Sequence, residues 1–216
     1  DYIFMTRLYK RQVINMNYLF EDHGLSWQNF DERAYIRSAS HFTAVATKLQ
    51  DGKKALFTDL TGEKLKQVLI ASCSMPFMMD PAPTPDGLCL DGGIADSIPF
   101  DVAQEQGYDK IVVVRTRDTS YRKKPSSRPV CQLYRRYFKD YPQFAEAGIL
   151  RPEVYNQQVA QIEHLRRTGQ IFNIAPQHPV KVGRVESNVK KIRKLYETGQ
   201  QEARQLLPSL IDYLNA

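Results

Sequence analysis

Leu88 to Phe100 reads LCLDGGIADSIPF. A short apolar run ends on Asp91, two glycines follow at Gly92 and Gly93, and the chain restarts at Pro99. Asp-Gly and Gly-Gly pairs mark tight turns, and proline suits the first position of a helix. The stretch therefore predicts a strand, a turn and a helix that runs from Pro99 to about Gln106 and is closed by Gly107. The next apolar run, KIVVV at Lys110 to Val114, has the unbroken character of a strand buried on both faces of a parallel sheet. Strand, crossover helix and strand make a βαβ unit. In open sheets of such units, chemistry gathers beyond the carboxyl ends of the strands, which is where Asp91 would sit. Asp96 and Asp101 are better placed as loop and first-turn residues.

Upstream, HFTAVAT from His41 has strand-like β-branched and aromatic content, DGKK is a hairpin-type turn, and ALFTD is a second, antiparallel strand. EKLKQVLIAS carries Leu65, Val68, Leu69 and Ser72 at helical spacing, and Pro76 and Pro81 end it. Before His41 the pattern is weak, with LYKRQVINMNYLF as a helix or broken helix and a turn around Gly24. After Asp118 the polar, basic and proline-containing SYRKKPSSRP reads as a linker. It divides residues 1–120, a mixed α/β core portion, from residues 121–216, a mainly helical appendage. In the appendage, PEVYNQQVAQIEHLRRTG predicts a helix starting at Pro152, with Tyr155, Val159, Ile162 and Leu165 on one stripe and Gly169 as the stop. IFNIAP reads as a strand. ESNVKKIRKLYETG predicts a helix with Ser187 as N-cap and Gly199 as stop, and QEARQLLPSLIDYLN a last one bent at Pro208.

A chain of 216 residues and 24.9 kDa is long enough to bury a core. Gln67 to Met79, the longest uncharged stretch near the middle, is shorter than the roughly 20 apolar residues a membrane span needs. Cys73, Cys89 and Cys131 are odd in number and widely spaced, so no disulfide framework is expected and a reducing, cytoplasmic setting is the default. The chain begins at Asp1 without a methionine, which suggests that the gene product starts upstream. The net charge of +6 is uneven: residues 1–100 hold 10 Lys and Arg against 12 Asp and Glu, and residues 101–216 hold 20 against 12. YRKK and KKIRK suit either solvated surfaces or peripheral contact with anionic lipid, and no nucleic-acid motif accompanies them.

Motif exclusions narrow the chemistry. No two of the eleven glycines are four apart, so Gly-x-Ser-x-Gly is absent, as are the glycine-rich dinucleotide and nucleoside triphosphate patterns. His23, His41, His164 and His178 show no metal-ligand spacing, and no metal or organic cofactor is expected. Asp91 remains the best candidate for a reacting group, although a turn alone would account for an Asp-Gly-Gly run. Ser72, Ser74 and Cys73 lie where IASCSMP leaves a helix, and close packing explains small residues there more simply than catalysis does. A carboxylate with a reference pKa of about 3.9 activates a hydroxyl only when partly desolvated and within about 2.6–3.2 Å of it.

FTAVATKLQDGKKALFTDL followed by IASCSMPFMMDPAPTPDGLCLDGGIADSIPFDVAQEQGYDKIVVV resembles the core of the patatin-like phospholipases in order, spacing and residue type. The matching pieces are Ala46 and Thr47, Ala71, Ser72 and Pro76, the turn Asp91, Gly92, Gly93, then Pro99, Gly107 and the last strand. The resemblance spans Phe42 to Val114 and is expected to cover only the C-terminal part of that core. Residues beyond Asp118, such as YRRYFKDYPQF and IEHLRRTGQIFNIAP, are similar to the extra C-terminal segment of a bacterial branch of the family. The resemblance implies an incomplete α/β three-layer sandwich around a mostly parallel sheet. It also implies a lipid acyl hydrolase acting on lipid or other carboxylic esters through a serine-aspartate dyad. Asp91 maps to the aspartate; the serine and the glycine-rich oxyanion loop belong to a segment N-terminal to these residues. On that reading this chain alone is inactive, and the complete enzyme works in the cytoplasm or peripherally on a membrane. The alternative is a non-catalytic fragment, or a membrane- or protein-binding module on the same scaffold. Neither reading sets the oligomeric state.

Overall fold

The structure is a computed structural model that describes residues 27, 29–183 and 186–216. The expected helix over LYKRQVINMNYLF and the turn at Gly24 lie outside the described residues. In chain order the elements are α1 (Glu32–Arg37), β1 (Thr43–Lys48), β2 (Lys54–Thr58), α2 (Gly62–Cys73), β3 (Ala82–Thr84) and β4 (Gly87–Asp91). There follow α3 (Phe100–Glu105), β5 (Ile111–Val114), α4 (Arg128–Tyr137), α5 (Pro142–Arg167), β6 (Ile171–Ile174) and α6 (Val189–Asn215). They form two compact units, one of Asp1–Ser97 with Pro125–Val154, the other of Ile98–Lys124 with Tyr155–Ala216.

The first unit holds a four-stranded sheet in the order β2-β1-β4-β3, and every adjacent pair is antiparallel. This corrects the expected mostly parallel sheet. The joins decide it: β1 passes to β2 through a short turn containing Gly52 at φ 67°, and β3 to β4 through Pro85 and Asp86. Parallel neighbours need a crossover of a dozen residues or more, and these turns leave no room for one. β4 and β5 lie in different sheets, so the expected βαβ unit does not form between them. The mixed α/β character stands, with helices on both faces of the sheet. On one face Ala44, Ala46, Ala55, Phe57 and Cys89 pack with Val68 and Ala71 of α2. On the other, Leu90 packs with Tyr134 of α4, with Phe138 just beyond that helix, and with Phe144 and Ile149 of α5. Adjacent residues Cys89 and Leu90 thus serve opposite faces, as strand alternation requires. In α2 the buried stripe is Leu65, Val68 and Ala71, while Leu69 and Ser72 are half-buried.

In the second unit β5 and β6 pair in parallel, Ile111 opposite Ile171 through Val114 opposite Ile174. Ile111, Val113 and Ile171 join Phe100, Ile162 and Leu165 in its core. KIVVV is not buried on both faces: Val114 is 72% exposed and the strand alternates. α5 starts ten residues before the expected Pro152, which lies inside it, and Pro142 occupies its first position. Tyr155, Val159, Ile162 and Leu165 are all buried, as their spacing predicts, and Gly169 at φ 74° ends the turn that follows. α6 is one helix that runs through Gly199 and Pro208, and its cap is Asn188, whose side chain accepts from the N–H groups of Lys190 and Lys191, instead of Ser187. No described helix is long and apolar enough to cross a membrane.

Candidate active site at the Asp-Gly-Gly turn

Asp91 is the last residue of β4 and stands opposite Ala46 of β1. Its N–H donates to the Ser74 carbonyl at 2.8 Å, and its carbonyl accepts from Thr47 Oγ1 at 2.8 Å. Thr47 is fully buried and its Oγ1 also accepts from the Ala95 N–H at 3.1 Å, so one hydroxyl ties both ends of the turn to β1. Gly92–Ile94 form a single 3₁₀ turn that Asp91 caps, its Oδ1 accepting from the Gly93 N–H at 2.7 Å. Ser97 Oγ donates to the Gly93 carbonyl at 2.8 Å and Asp96 N–H to the Gly92 carbonyl at 2.9 Å. The glycines have separate reasons. A β-carbon at Gly92 would collide with the Val45 carbonyl oxygen, because the turn crosses directly over β1. At Gly93 it would lie 3.0 Å from Arg151 Nη2 and 3.1 Å from Asp91 Oδ1.

The half-buried Asp91 carboxylate is therefore held by one oxygen, and no described residue hydrogen-bonds to Oδ2. A carboxylate fixed in this way can accept a proton from a hydroxyl brought within reach of the second oxygen. Cys73 is exposed at the end of α2, and partial desolvation, with the Asp91 charge adding to it, pushes its thiol up. Ser74 is fully buried and its Oγ donates to the Ile70 carbonyl at 2.8 Å, a structural role. Ser72 is half-buried in the last turn of α2. Asp96 is buried against Lys54 Nζ at 3.1 Å, and Asp101 lies in the first turn of α3.

His41 pairs with Asp59 at 2.5 Å on the surface, and that hydrogen bond holds the Asp59 carboxyl below the usual range. His164 and His178 are exposed, and His23 lies outside the described residues. Among the described residues no three His, Cys, Asp or Glu side chains are grouped to hold a metal, and Cys73, Cys89 and Cys131 are free thiols. Sequence reasoning missed Arg151. It lies in α5, far along the chain from the turn, and no spacing rule connects a helical arginine to an Asp-Gly-Gly run.

Residues 7–103 match the family model described as Patatin-like phospholipase, and residues 141–215 match one described as Domain of unknown function (DUF6363). The first match holds Asp91, Gly92 and Gly93, and the second holds Arg151. The expectation that only the C-terminal part of the family core is represented is not borne out, since the match lies in the N-terminal part of the chain, beginning well before Phe42. No curated protein matches the chain.

Proposed function

Because residues 7–103 match the family model described as Patatin-like phospholipase, we propose that the protein is a lipid acyl hydrolase in which Asp91 is the general base of a serine-aspartate dyad. The observation that carries this reading is the asymmetric hold on Asp91: Oδ1 is engaged by the Gly93 amide and Oδ2 is left for the nucleophile. In the first step the serine oxygen bonds to the ester carbonyl carbon while its proton passes to Asp91 Oδ2. Collapse of the tetrahedral intermediate breaks the carbon–oxygen ester bond, and the leaving alkoxide takes that proton. Water then repeats the sequence on the acyl-enzyme, freeing the fatty acid and restoring the serine. These 216 residues contain no Gly-x-Ser-x-Gly, so the proposal places the serine outside them, and this chain alone turns over no ester. The basic second half, with 20 Lys and Arg against 12 Asp and Glu in residues 101–216, supports work at an anionic lipid surface.

The test is made on the protein from its native source. A fluorophosphonate probe is expected to place one adduct on a serine of a polypeptide heavier than 24.9 kDa. In that protein Asp91→Asn should lower kcat by about 10²–10⁴-fold, the usual contribution of a general base. The amide oxygen can still accept from Gly93, so the turn should be kept. Full activity in this variant would refute the base assignment. The second reading, a non-catalytic binding module, is favoured by the missing Gly-x-Ser-x-Gly, and a species of 24.9 kDa with no adduct would establish it.

A further inference from the structure

Arg151 has an unusual setting for an arginine. Its Nε is buried without a hydrogen-bond partner, and no described residue forms an ion pair with the guanidinium. Arginine carries its charge at any physiological pH and presents a planar fork of donors that matches phosphate and carboxylate oxygens. A buried donor left unpaired costs free energy, so such a group is maintained where something else completes it. The guanidinium is also aimed at the proposed reacting group. Nη2 lies 3.0 Å, and Asp91 Oδ1 3.1 Å, from the one point that a β-carbon on Gly93 would occupy. The absence of that carbon lets the cation reach the turn. Asp91 does not consume the charge, because the two are not ion-paired and Oδ1 is already engaged by the Gly93 amide.

We propose that Arg151 is the anion-recognition residue of this site, binding a phosphate oxygen beside the Asp-Gly-Gly turn. The inference rests on the hydrolase reading for the identity of its ligand, the phosphate of an anionic glycerolipid. An ester carbonyl presented to Asp91 on such a lipid lies a few bonds from its phosphate, so one group would be read by the carboxylate and the other by the guanidinium. A site with Asp91 alone would repel that phosphate; Arg151 offsets the repulsion. The proposal also gives the segment matched as a domain of unknown function a share in substrate selection, through one side chain of α5.

The test reads binding by the 216-residue chain, so its failure is separate from failure of the dyad. The Nε–Hε cross-peak of Arg151, assigned by its loss in Arg151→Gln, is followed by NMR at constant ionic strength. The titrants are sodium phosphate, monomeric dihexanoylphosphatidylglycerol and neutral dihexanoylglycerol. The two phosphate-bearing probes are expected to shift the peak saturably, and the neutral lipid is not. Affinity for the phosphate lipid, read on neighbouring amides, should fall at least tenfold in Arg151→Gln and be partly restored in Arg151→Lys, with unchanged circular dichroism confirming the fold. A lipid at least tenfold tighter than inorganic phosphate supports the headgroup as ligand; equal affinities would overturn it in favour of free phosphate. No saturable shift at millimolar probe, or unaltered affinity in Arg151→Gln, would overturn the assignment itself.

Discussion

Gly92 and Gly93 are adjacent and chemically identical, yet their surroundings predict opposite responses to one added methyl group. At Gly92 the methyl would meet the Val45 backbone, which cannot move without opening the pairing of β1 with β4. Gly92→Ala should therefore destabilise the protein by about 3 kcal/mol, the cost of forced overpacking, read as a lowered denaturant midpoint at constant slope. At Gly93 the nearest atom is the end of a flexible arginine side chain. Gly93→Ala should cost less than about 1 kcal/mol, and its effect should appear instead as displacement of Arg151 in the NMR spectrum. Equal losses at both positions would contradict the crossing described here. The Asp-Gly-Gly turn was legible from residue type alone, because few other residues make such a turn. Arg151 was not, since its role depends on a helix returning to a turn far away in sequence.

At the level of elements, periodicity was read correctly where one face is buried, and punctuation was misread where a helix is exposed. The stripe Tyr155, Val159, Ile162 and Leu165 and the hairpin of β1 and β2 follow directly from spacing. Gly199 is expected to stop a helix, but it lies within α6, as does Pro208. Glycine disfavours a helix interior by about 1 kcal/mol, a cost that a long helix can absorb. Apart from the adjoining backbone of α6, no described atom lies within 4 Å of the position a β-carbon on Gly199 would take. Gly199→Ala should therefore stabilise α6 locally by about 0.5–1 kcal/mol, seen as slower amide exchange in that helix. Faster exchange would show that Gly199 is a terminator after all. Pro152 was likewise read as a start, and the helix that continues through it leaves the Gly148 carbonyl without its usual donor.

For the whole molecule, the two compact units have separate apolar cores, with Ile162 fully buried in the second. Ile162→Ala should cost about 2–4 kcal/mol, and amide exchange should rise in β5 and β6 more than in β1. Equal rises in all three strands would mean that the units unfold as one. The sequence by itself determined the hairpin of β1 and β2, the turn at Asp91 and the buried stripe of α5, and it singled out Asp91 as a candidate, because these depend on neighbours a few residues apart. Only the tertiary structure decided the sheet. KIVVV has the apolar content of a central strand but pairs with β6, while LCL pairs with β1 and β3. Strand partners are chosen by hairpin length and by burial against distant helices, quantities that no local window contains. The same holds for Arg151, brought to Gly93 by the packing of α5 against the sheet, where the sequence shows only an arginine before a proline.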